Sequence, residues 1–452
     1  MTKNWLLCGL AAWALAGCGG GGGNSSAGAR AAYPASSVCT PTDEKTWVRA
    51  YLDDVYLWYL DIVDVNAASY ATPVDYFAAL LVKTKDRFSF AEAQTVVDAY
   101  FQSGQVIGYG ATFVRASDGS LRVAYSEPNS PASLAGIDRG SWIVNINGRP
   151  EGQLGRAAFL AALYPVGIGD SNNFDVMDPG TGNTRNVTLT AALVNGTPVL
   201  KNQVYSLPSG KKVGYMVFND QTANAEAPLS EAIAQFAATG IDDLVLDLRY
   251  NGGGYLYIAS ELGYMIGGAA TRGQVFERLR YNDKHPEKTN NPASTVPFFD
   301  TDTGDKPLPT LGLKRVFVLT GPGTCSASES IINGLNPFLN VITIGGTSCG
   351  KPYGFNQKNN CGTAYFAIQF DGVNAVNQGA YINGFSPVCA AADDLAHQFG
   401  DSNERLLSTA LAYQSAGACP AGTLAQAKSA LHAPQGLREI YRAPWRENRI
   451  LK

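Results

Sequence analysis

A strand, a glycine-rich turn and a helix follow one another at residues 316–332, and this run constrains the fold more than any other feature. Residues 316–319 are apolar, as in a buried strand, and the turn after them leads to Ser326 at the start of a helical pattern. A second strand-like run at 341–344 leads through Gly-Gly-Thr-Ser-Cys-Gly to Lys351. Parallel strands joined by a helix return the chain to the same sheet edge, so we predict that Ser326 and Lys351 meet.

A serine and a lysine that meet can form a catalytic pair without histidine, because the lysine accepts the proton of the hydroxyl. The lysine must be neutral to do so, and burial lowers the pKa of a lysine. Tyr353 and Phe355 would provide apolar surroundings beside Lys351. The alternative from these residues alone is a surface lysine and a serine that caps a helix, and it stays open at this point.

Three consecutive glycines end another buried-type strand, in the run Asp247-Leu-Arg249-Tyr-Asn251 followed by Gly252, Gly253 and Gly254. Glycines let backbone N–H groups converge on a developing oxyanion. Alone, such a run predicts only a tight turn.

Taken together, the pattern Asp-Leu-Arg-x-Asn-Gly-Gly-Gly, the later Ser-Ala-Ser-Glu at 326–329 and the Gly-Lys at 350–351 resemble the S41 family of Ser–Lys peptidases, the C-terminal processing proteases. The resemblance covers most of residues 100–370. It implies a multidomain chain with a ClpP/crotonase-like α/β catalytic core and no cofactor. By the same resemblance Ser326 is the nucleophile and Lys351 the general base. The other implied roles are an oxyanion hole from the N–H groups of Gly253, Gly254 and Ala327, and support from Glu329, Ser348 and Arg249.

The chain departs from the family pattern at two positions. Family members often have glutamine four residues after the lysine, where this chain has Phe355, and Gln357 is the candidate substitute together with Asn356. A family aspartate in the helix after the serine aligns with Pro337. These departures give a second hypothesis, in which an S41-fold protein with weak or no activity serves as a peptide-binding scaffold.

Gly346-Thr-Ser348-Cys-Gly350 also satisfies the Gly-x-Ser-x-Gly pattern of α/β-hydrolases. That pattern requires a helix immediately after the serine, and the following Pro352 and Gly354 argue against one. A lipase-like hydrolase acting through Ser348 is therefore a poor interpretation, and we expect Ser348 to be a supporting hydroxyl.

The N-terminus has the features of a secretion signal, with Lys3 before an apolar run at 5–15. Leu-Ala-Gly-Cys at 15–18 resembles the lipobox that ends a bacterial lipoprotein signal peptide (residues 1–18). The resemblance implies that signal cleavage leaves Cys18 as a lipidated N-terminus. An ordinary signal peptide is the alternative. A Gly/Ser-rich linker at 19–38 then acts as a tether. We predict an exported protein anchored by lipid to the bacterial outer membrane and facing the periplasm.

Six cysteines follow the lipobox, and in an exported chain they suggest disulfides. The preferred pairs are Cys349–Cys361 and Cys389–Cys419. Neither a Cys-x-x-Cys pair nor a His-Glu-x-x-His motif occurs, so metal binding has little support.

Three units are predicted before the end of the chain. Residues 39–102 read as a small helical domain, because Trp47, Tyr51, Val55 and Trp58 recur at helical spacing. Residues 103–195 resemble a PDZ domain, which binds a chain terminus by strand addition. A peptidase domain spans 196–435, and 436–452 reads as a solvated basic tail. The carboxylate-binding loop implied by the PDZ resemblance comprises Gly108, Tyr109, Gly110 and Ala111.

The formal net charge of −4 and the absence of a basic stripe argue against a nucleic-acid partner. The predicted partners are proteins or peptides with free C-termini, together with a membrane reached through the lipid anchor. An adaptor lipoprotein and a homo-oligomer are left open.

Overall fold

The computed structural model describes residues 38–421, 439–441 and 449–450. The predicted signal, Cys18 and nearly all of the linker at 19–38 lie outside these residues. Within the described ranges, no helix is both long and apolar enough to cross a bilayer.

The N-terminal unit consists of three helices and a short strand. Its first helix begins after Thr40, whose hydroxyl accepts the N–H of Asp43 at 3.2 Å and so caps the helix. The elements are α1 (Pro41–Val55), α2 (Pro73–Leu80), β1 (Phe90–Ala93) and α3 (Gln94–Ser103).

The aromatic stripe of α1 is core, as the sequence predicts, because Trp47, Tyr51 and Val55 are buried. This core is not independent of the rest of the chain. It includes Tyr365 and Phe366, and β1 pairs antiparallel with residues 363–366. The predicted helical domain therefore packs as one body with a hairpin of the peptidase segment.

Residues 105–195 form a β-rich unit around an antiparallel sheet. The strand before the predicted Asn-Gly turn is present, and Asn147 and Gly148 both have positive φ, as a tight hairpin turn requires. The elements are β2 (Gln105–Gly108), β3 (Ala111–Arg115), β4 (Leu121–Ser126), α4 (Pro131–Leu134), β5 (Trp142–Ile146), α5 (Arg156–Leu163), β6 (Ser171–Met177), β7 (Thr184–Thr190) and β8 (Ala192–Asn195).

A six-stranded sheet is the centre of the remaining segment. Its order is β21-β16-β15-β11-β10-β9, and neighbours are parallel except for the antiparallel edge pair β9–β10. Its strands are β9 (Val199–Ser206), β10 (Lys212–Phe218), β11 (Asp243–Asp247), β15 (Arg315–Thr320), β16 (Asn340–Gly345) and β21 (Cys389–Ala390).

Helices and smaller sheets cover this central sheet. One sheet has the order β14-β13-β20-β17, and another is β1-β19-β18. The helices are α6 (Glu226–Thr239), α7 (Leu256–Gly267), α8 (Pro286–Thr289), α9 (Ala327–Leu335) and α10 (Arg405–Ala416). The other strands are β12 (Gly254–Tyr255), β13 (Val275–Tyr281), β14 (Thr295–Pro297), β17 (Tyr353–Gly354), β18 (Lys358–Asn360), β19 (Thr363–Phe366), β20 (Phe370–Val373), β22 (Glu439–Tyr441) and β23 (Arg449–Ile450).

The predicted β–α–β unit is present. Strands β15 and β16 are parallel neighbours, with Leu319 opposite Ile344, and α9 connects them. Their carboxyl ends lie at one edge of the sheet, so the turns that carry Ser326 and Lys351 leave the sheet side by side.

Three disulfides join the six cysteines that the structure describes. The predicted Cys389–Cys419 pair is present. The predicted Cys349–Cys361 pair is wrong, because sequence proximity was a poor guide to spatial proximity. The β15–α9 turn brings Cys325 to a Cα distance of 5.1 Å from Cys349, and Cys361 lies 5.5 Å from Cys39 at the start of α1.

The prediction of a solvated tail at 436–452 is wrong at the residues of that segment that the structure describes, 439–441 and 449–450, which form strands. Strand β22 adds to the outer edge of the β-rich sheet beside β3, and β23 pairs with β12. Tyr441 is buried.

Candidate active site

Ser326 lies on a strained turn between β15 and α9. Its φ of 60° and ψ of −117° are rare for a residue with a Cβ, and such backbone strain persists where the surrounding structure imposes it, often at functional sites. The side chain is fully buried, and its Oγ has no hydrogen-bond partner among the described residues. The hydroxyl therefore stands unpartnered at the N-terminus of a helix, where the helix dipole favours negative charge.

The carboxylate of Glu329 joins the serine turn to the lysine loop. Its Oε2 accepts the backbone N–H groups of Ser326 at 3.0 Å and Lys351 at 2.8 Å. Its Oε1 accepts the N–H of Gly350 at 2.8 Å and the hydroxyl of Ser348 at 2.5 Å. Because one oxygen accepts N–H groups from both backbones, the two turns that carry Ser326 and Lys351 lie against each other.

The environment of Glu329 acts on its pKa in two directions. Burial raises the pKa, while the hydroxyl of Ser348 and the N–H groups of Lys351, Gly350 and Ser326 lower it; the net direction is upward from the usual value of 4.5. These four donors identify Glu329 as an organising group of the site.

Lys351 is fully buried between two aromatic rings. Its Nζ lies 4.4 Å from the ring centroid of Phe355 and 5.1 Å from that of Phe88. The sequence predicted Phe355 as a neighbour. It gave no signal for Phe88, which comes from the N-terminal unit and reaches the lysine only through the tertiary fold.

The glycine turn needs one correction. The N–H of Gly253 donates to Oδ1 of Asn251 at 2.9 Å, so it is not open to a substrate oxyanion as predicted. Gly254 has a φ of 142°, and a Cβ there would lie 2.3 Å from the carbonyl oxygen of Gln221. Only glycine fits this position, and Gly254 is left as the predicted donor from this turn.

Two residues that the sequence analysis did not single out connect this turn to α9. The carbonyl of Asn251 accepts the N–H of Cys325 at 3.0 Å and the hydroxyl of Ser328 at 3.1 Å. Gln221 donates to Ser328 at 3.1 Å. Ser328 belongs to the Ser-Ala-Ser-Glu motif and could have been found there, whereas Gln221 has no sequence signal. These contacts hold the start of α9 against the glycine turn.

Arg249 occupies the end of β11 as the sequence predicts. Its buried guanidinium pairs with Asp247 at 2.8 Å, Glu404 at 2.7 Å and Asp393 at 2.9 Å. Asp393 also binds Arg139 of the β-rich unit at 2.6 Å. Burial alone would raise the pKa of Asp393, but Arg139 and Arg249 lower it to about 2. This network ties the β-rich unit to the central sheet.

The two remaining predicted supports have different surroundings. Ser348 donates to Glu329 and accepts the N–H of Phe385 at 2.7 Å, so it supports the site through Glu329. The amide nitrogen of Gln357 donates to Asp98 at 2.8 Å and Asn359 at 2.9 Å. The amide nitrogen of Gln357 is therefore used elsewhere, and only its amide oxygen could accept a hydrogen bond from Lys351 in the predicted orienting role.

The predicted carboxylate-binding loop joins β2 to β3. Tyr109 is buried, and its hydroxyl accepts a hydrogen bond from Asn172 at 2.9 Å. Gly110 has a φ of 75°, and a Cβ there would lie 2.2 Å from Cβ of Ser130. The side chain of Tyr109 is therefore core, and the segment from Gly108 to Ala111 can offer a ligand its backbone only.

Cys325, Glu329 and Cys349 form a cluster with the spacing of metal ligands. Cys325 and Cys349 are joined as a disulfide, and a disulfide sulfur lacks the thiolate that binds metal ions. The cluster as it stands does not fit a metal site.

Comparison with known families agrees with this geometry. Residues 212–364 match the model of peptidase family S41, and residues 43–90 match that of the peptidase S41 N-terminal domain. These two segments therefore match the S41 peptidase family, and Ser326, Lys351 and the glycine turn all lie within the match at 212–364.

Relatives with curated names are C-terminal processing proteases. The chain is 31% identical over 161 residues to the carboxyl-terminal-processing protease of Picosynechococcus sp., covering 35% of this chain and 38% of that protein. It is 26% identical over 245 residues to the carboxy-terminal processing protease CtpB of Bacillus subtilis, covering 54% and 46%. The chain thus matches less than half the length of each of these two relatives.

A solved structure resembles the chain over a larger share. A protein from Bacteroides fragilis NCTC 9343 assigned to the S41 proteases superposes with a TM-score of 0.63 at 25% identity. The match covers 82% of this chain and 97% of that one. The S41 protease fold therefore extends well beyond the segments that the family models match.

Proposed function

We propose that this chain is a serine endopeptidase of the C-terminal processing type that uses a Ser326–Lys351 dyad. The observation that carries the proposal is the strained, buried and unpartnered hydroxyl of Ser326, held by Glu329 beside the Lys351 backbone. Burying a hydroxyl without a hydrogen bond costs free energy, so such a group calls for an explanation, and a catalytic role is one. The S41 match and the names of the relatives support a catalytic role in peptide hydrolysis for this hydroxyl.

In the proposed reaction, Oγ of Ser326 attacks the carbonyl carbon of the scissile peptide while Nζ of Lys351 takes the hydroxyl proton. Lys351 returns that proton to the leaving amine, and a water molecule then hydrolyses the acyl-enzyme by the same route. The mechanism needs a neutral lysine in the resting enzyme. Full burial of Lys351 favours the uncharged amine through desolvation, whereas the rings of Phe88 and Phe355 attract a cation and oppose it.

The oxyanion of the tetrahedral intermediate would be held by the N–H groups of Ala327 and Gly254. Ala327 contributes the N-terminus of α9, where the helix dipole adds to the hydrogen bond. Gly254 is fixed opposite it by the Asn251 and Gln221 contacts.

The β-rich unit at 103–195 is proposed to be a PDZ domain that delivers the C-terminal tails of substrate proteins. Its support is the edge of β3 next to the predicted loop, which accepts an added strand, since β22 pairs there in antiparallel orientation. Export with lipid anchoring at Cys18 belongs to the same proposal. Three disulfides in the described residues fit an oxidising compartment.

One observation favours the second candidate, an S41-fold scaffold with weak or no activity. Phe355 stands where the family often has glutamine, and its ring packs on the Nζ of Lys351. An aromatic ring does not accept a hydrogen bond as an amide oxygen does, so Phe355 does not orient the amine in the way a glutamine there would.

The test uses a form of the chain that begins at Gly19. It is incubated with an unfolded protein and with peptides that carry free or amidated C-termini, and the products are identified by mass spectrometry. Ser326→Ala and Lys351→Ala are compared with Ser415→Ala and Lys314→Ala, which change exposed residues of the same types.

Cleavage that is lost in both dyad variants, kept in both controls and reduced by amidation supports the proposal. Cleavage that survives Ser326→Ala overturns the assignment of the nucleophile. Peptide binding without cleavage by any form favours the scaffold.

A further inference from the structure

The two C-terminal strands pair with both functional units: β22 is the edge strand of the β-rich sheet, and β23 forms a two-stranded sheet with β12. Strand β22 runs antiparallel to β3, and β23 runs parallel to β12, the strand that begins at Gly254. The register pairs are Glu439–Arg115, Ile440–Val114, Tyr441–Phe113, Arg449–Gly254 and Ile450–Tyr255.

The side chain of Tyr441 fills a built site on the β-rich unit. Only 4% of the residue is exposed, and its ring lies 5.3 Å from that of Phe159 of α5. Arg115 donates to its hydroxyl from Nε at 2.9 Å and from Nη2 at 2.6 Å. The hydroxyl of Tyr164 donates to its backbone carbonyl. Ring, hydroxyl and backbone are therefore all recognised.

Ile440, on the same strand, packs against the turn that leads to Ser326. A Cβ placed on Gly323 would lie 2.5 Å from Cδ1 of Ile440, so this side chain lies directly against the turn. The neighbouring residues of β22 thus contact the β-rich unit on one side and the nucleophile turn on the other.

Strand β23 lies where the reacting chemistry is proposed. It pairs with β12, which starts at the proposed oxyanion donor, and it contacts β17, which follows Lys351 after one residue. A substrate backbone that approaches Ser326 by strand addition would need these same edges.

We infer that the C-terminal strands β22 and β23 are an intramolecular ligand. They occupy the positions beside β3 and β12 at which a substrate strand would pair, and an incoming chain must displace them. The edge of β3 with its Tyr441 pocket is then a peptide-binding site that prefers a tyrosine after an aliphatic residue. The consequence for catalysis rests on the proposed function, whereas the binding site does not.

Tethering determines the size of the effect. A segment linked to its own site is present at an effective concentration of about the millimolar range, so a free peptide competes poorly until the resident strand is removed or weakened. The apparent affinity of the free peptide equals its intrinsic affinity multiplied by the fraction of molecules in which the resident strand has left the site.

The binding test uses the Ser326→Ala background, so that the probe stays intact. A fluorescent peptide of residues 436–452 is titrated by anisotropy into the intact chain, into a chain ending at Gln435, and into intact chains with Tyr441→Ala or Tyr70→Ala. We expect at least about tenfold tighter binding to the truncated chain and several-fold tighter binding to Tyr441→Ala. Tyr70→Ala, a half-buried tyrosine of the N-terminal unit, should match the intact chain.

Two further comparisons locate the site. A probe with alanine in place of Tyr441 should bind the truncated chain at least about tenfold more weakly than the native probe, because it loses both the ring contact and the Arg115 bonds. Arg115→Met in the truncated chain should weaken the native probe and leave the alanine probe unchanged.

Equal probe affinity for the intact, truncated and Tyr441→Ala chains overturns the inference. If truncation prevents folding, judged by thermal unfolding, the intact Tyr441→Ala chain decides alone. An activity arm without the Ser326→Ala change separates this inference from the proposed function. If the truncated or Tyr441→Ala chain binds the probe more tightly than the intact chain but cleaves nothing, the C-terminal strands are a resident ligand and the proposed peptidase activity is rejected. If these chains bind more tightly and cleave no faster than the intact chain, the inhibitory role of the strands is rejected.

Discussion

Ser326 and Ser348 follow neighbouring parallel strands, each in a glycine-containing turn, and each is buried beside the carboxylate of Glu329. Their hydroxyls nevertheless differ. Ser348 donates to Glu329 and accepts from the backbone of Phe385, so its hydrogen-bonding capacity is used in holding the structure. Oγ of Ser326 has no partner among the described residues, on a backbone with positive φ.

The difference shows that a sequence motif does not identify a nucleophile by itself. Ser348 satisfies Gly-x-Ser-x-Gly but has no helix after it, and its turn is closed by hydrogen bonds. Ser326 lacks that motif and has the strained strand–turn–helix geometry that the motif normally indicates. Backbone strain and an unpartnered hydroxyl distinguish the two serines.

The largest expected effect is on catalysis. Ser326→Ala should lower kcat/KM by at least about 10³-fold, because the proposed nucleophile is removed. Ser348→Ala should lower it by only about tenfold, since it loses one hydrogen bond that positions Glu329. Peptide cleavage measured at equal concentrations of folded protein checks both values, and a larger loss in Ser348→Ala would reverse our assignment of the two serines.

The next test concerns the disulfide that joins the two serine turns. Cys325 precedes Ser326, Cys349 follows Ser348, and the bond between them fixes their spacing. Replacing both cysteines with alanine should reduce kcat/KM by about 100-fold, because a displacement of about 1 Å between reacting groups has that effect. It should also lower the free energy of unfolding by about 3 kcal/mol.

The matched control replaces Cys39 and Cys361, which close a far longer loop away from the dyad. In the loop-entropy description it should lose more stability, about 4 kcal/mol or above, yet keep its activity below its melting temperature. Equal activity in the two double variants would show that the Cys325–Cys349 bond stabilises the fold without positioning the dyad.

Glu329→Gln tests the group that both serine turns share. The variant keeps one acceptor oxygen and turns the other into a donor facing N–H groups, so we expect a loss of about 100-fold in kcat. The pKa of Glu329 in the folded protein is raised above 4.5, chiefly by burial. The stability from this group is therefore present below the unfolded pKa and lost as pH rises through the folded pKa.

Urea unfolding of wild type and Glu329→Gln at about pH 4 and about pH 7 checks the sign. The free energy of unfolding of wild type, relative to the variant, should be higher at pH 4 than at pH 7. The opposite trend would mean that the four donors around Glu329 outweigh its burial.

Much of the central site was predictable from the sequence, since local patterns determine it. The apolar runs of β15 and β16 and the helix between them place Ser326 and Lys351 at one sheet edge. The glycines at 252–254 likewise predict the turn opposite α9. These patterns could not predict which backbone N–H groups of the turn are available to an oxyanion. The N–H of Gly253 donates instead to the side chain of Asn251, two residues away.

The rest of the site depends on contacts between distant segments. Phe88 reaches Lys351 from the N-terminal unit, and Cys39 pairs with Cys361 across most of the chain. The strands of the C-terminal segment were missed because they are two and three residues long among basic residues, too short for a periodic pattern. Their pairing with β3 and β12 is defined by the edges that receive them.

The smallest effect separates strain from hydrogen bonding at the two serines. Ser348→Ala should lower the free energy of unfolding by about 1–3 kcal/mol, because the N–H of Phe385 and Glu329 each lose a buried partner. Ser326→Gly should raise it by about 1 kcal/mol, since glycine adopts a φ of 60° without the cost of a Cβ. Ser326→Ala removes the unpartnered hydroxyl and keeps the Cβ, so its difference from Ser326→Gly in urea unfolding gives the strain less the extra conformational entropy of glycine in the unfolded chain. A glycine variant no more stable than the alanine variant would show that the strain at Ser326 does not exceed that entropy.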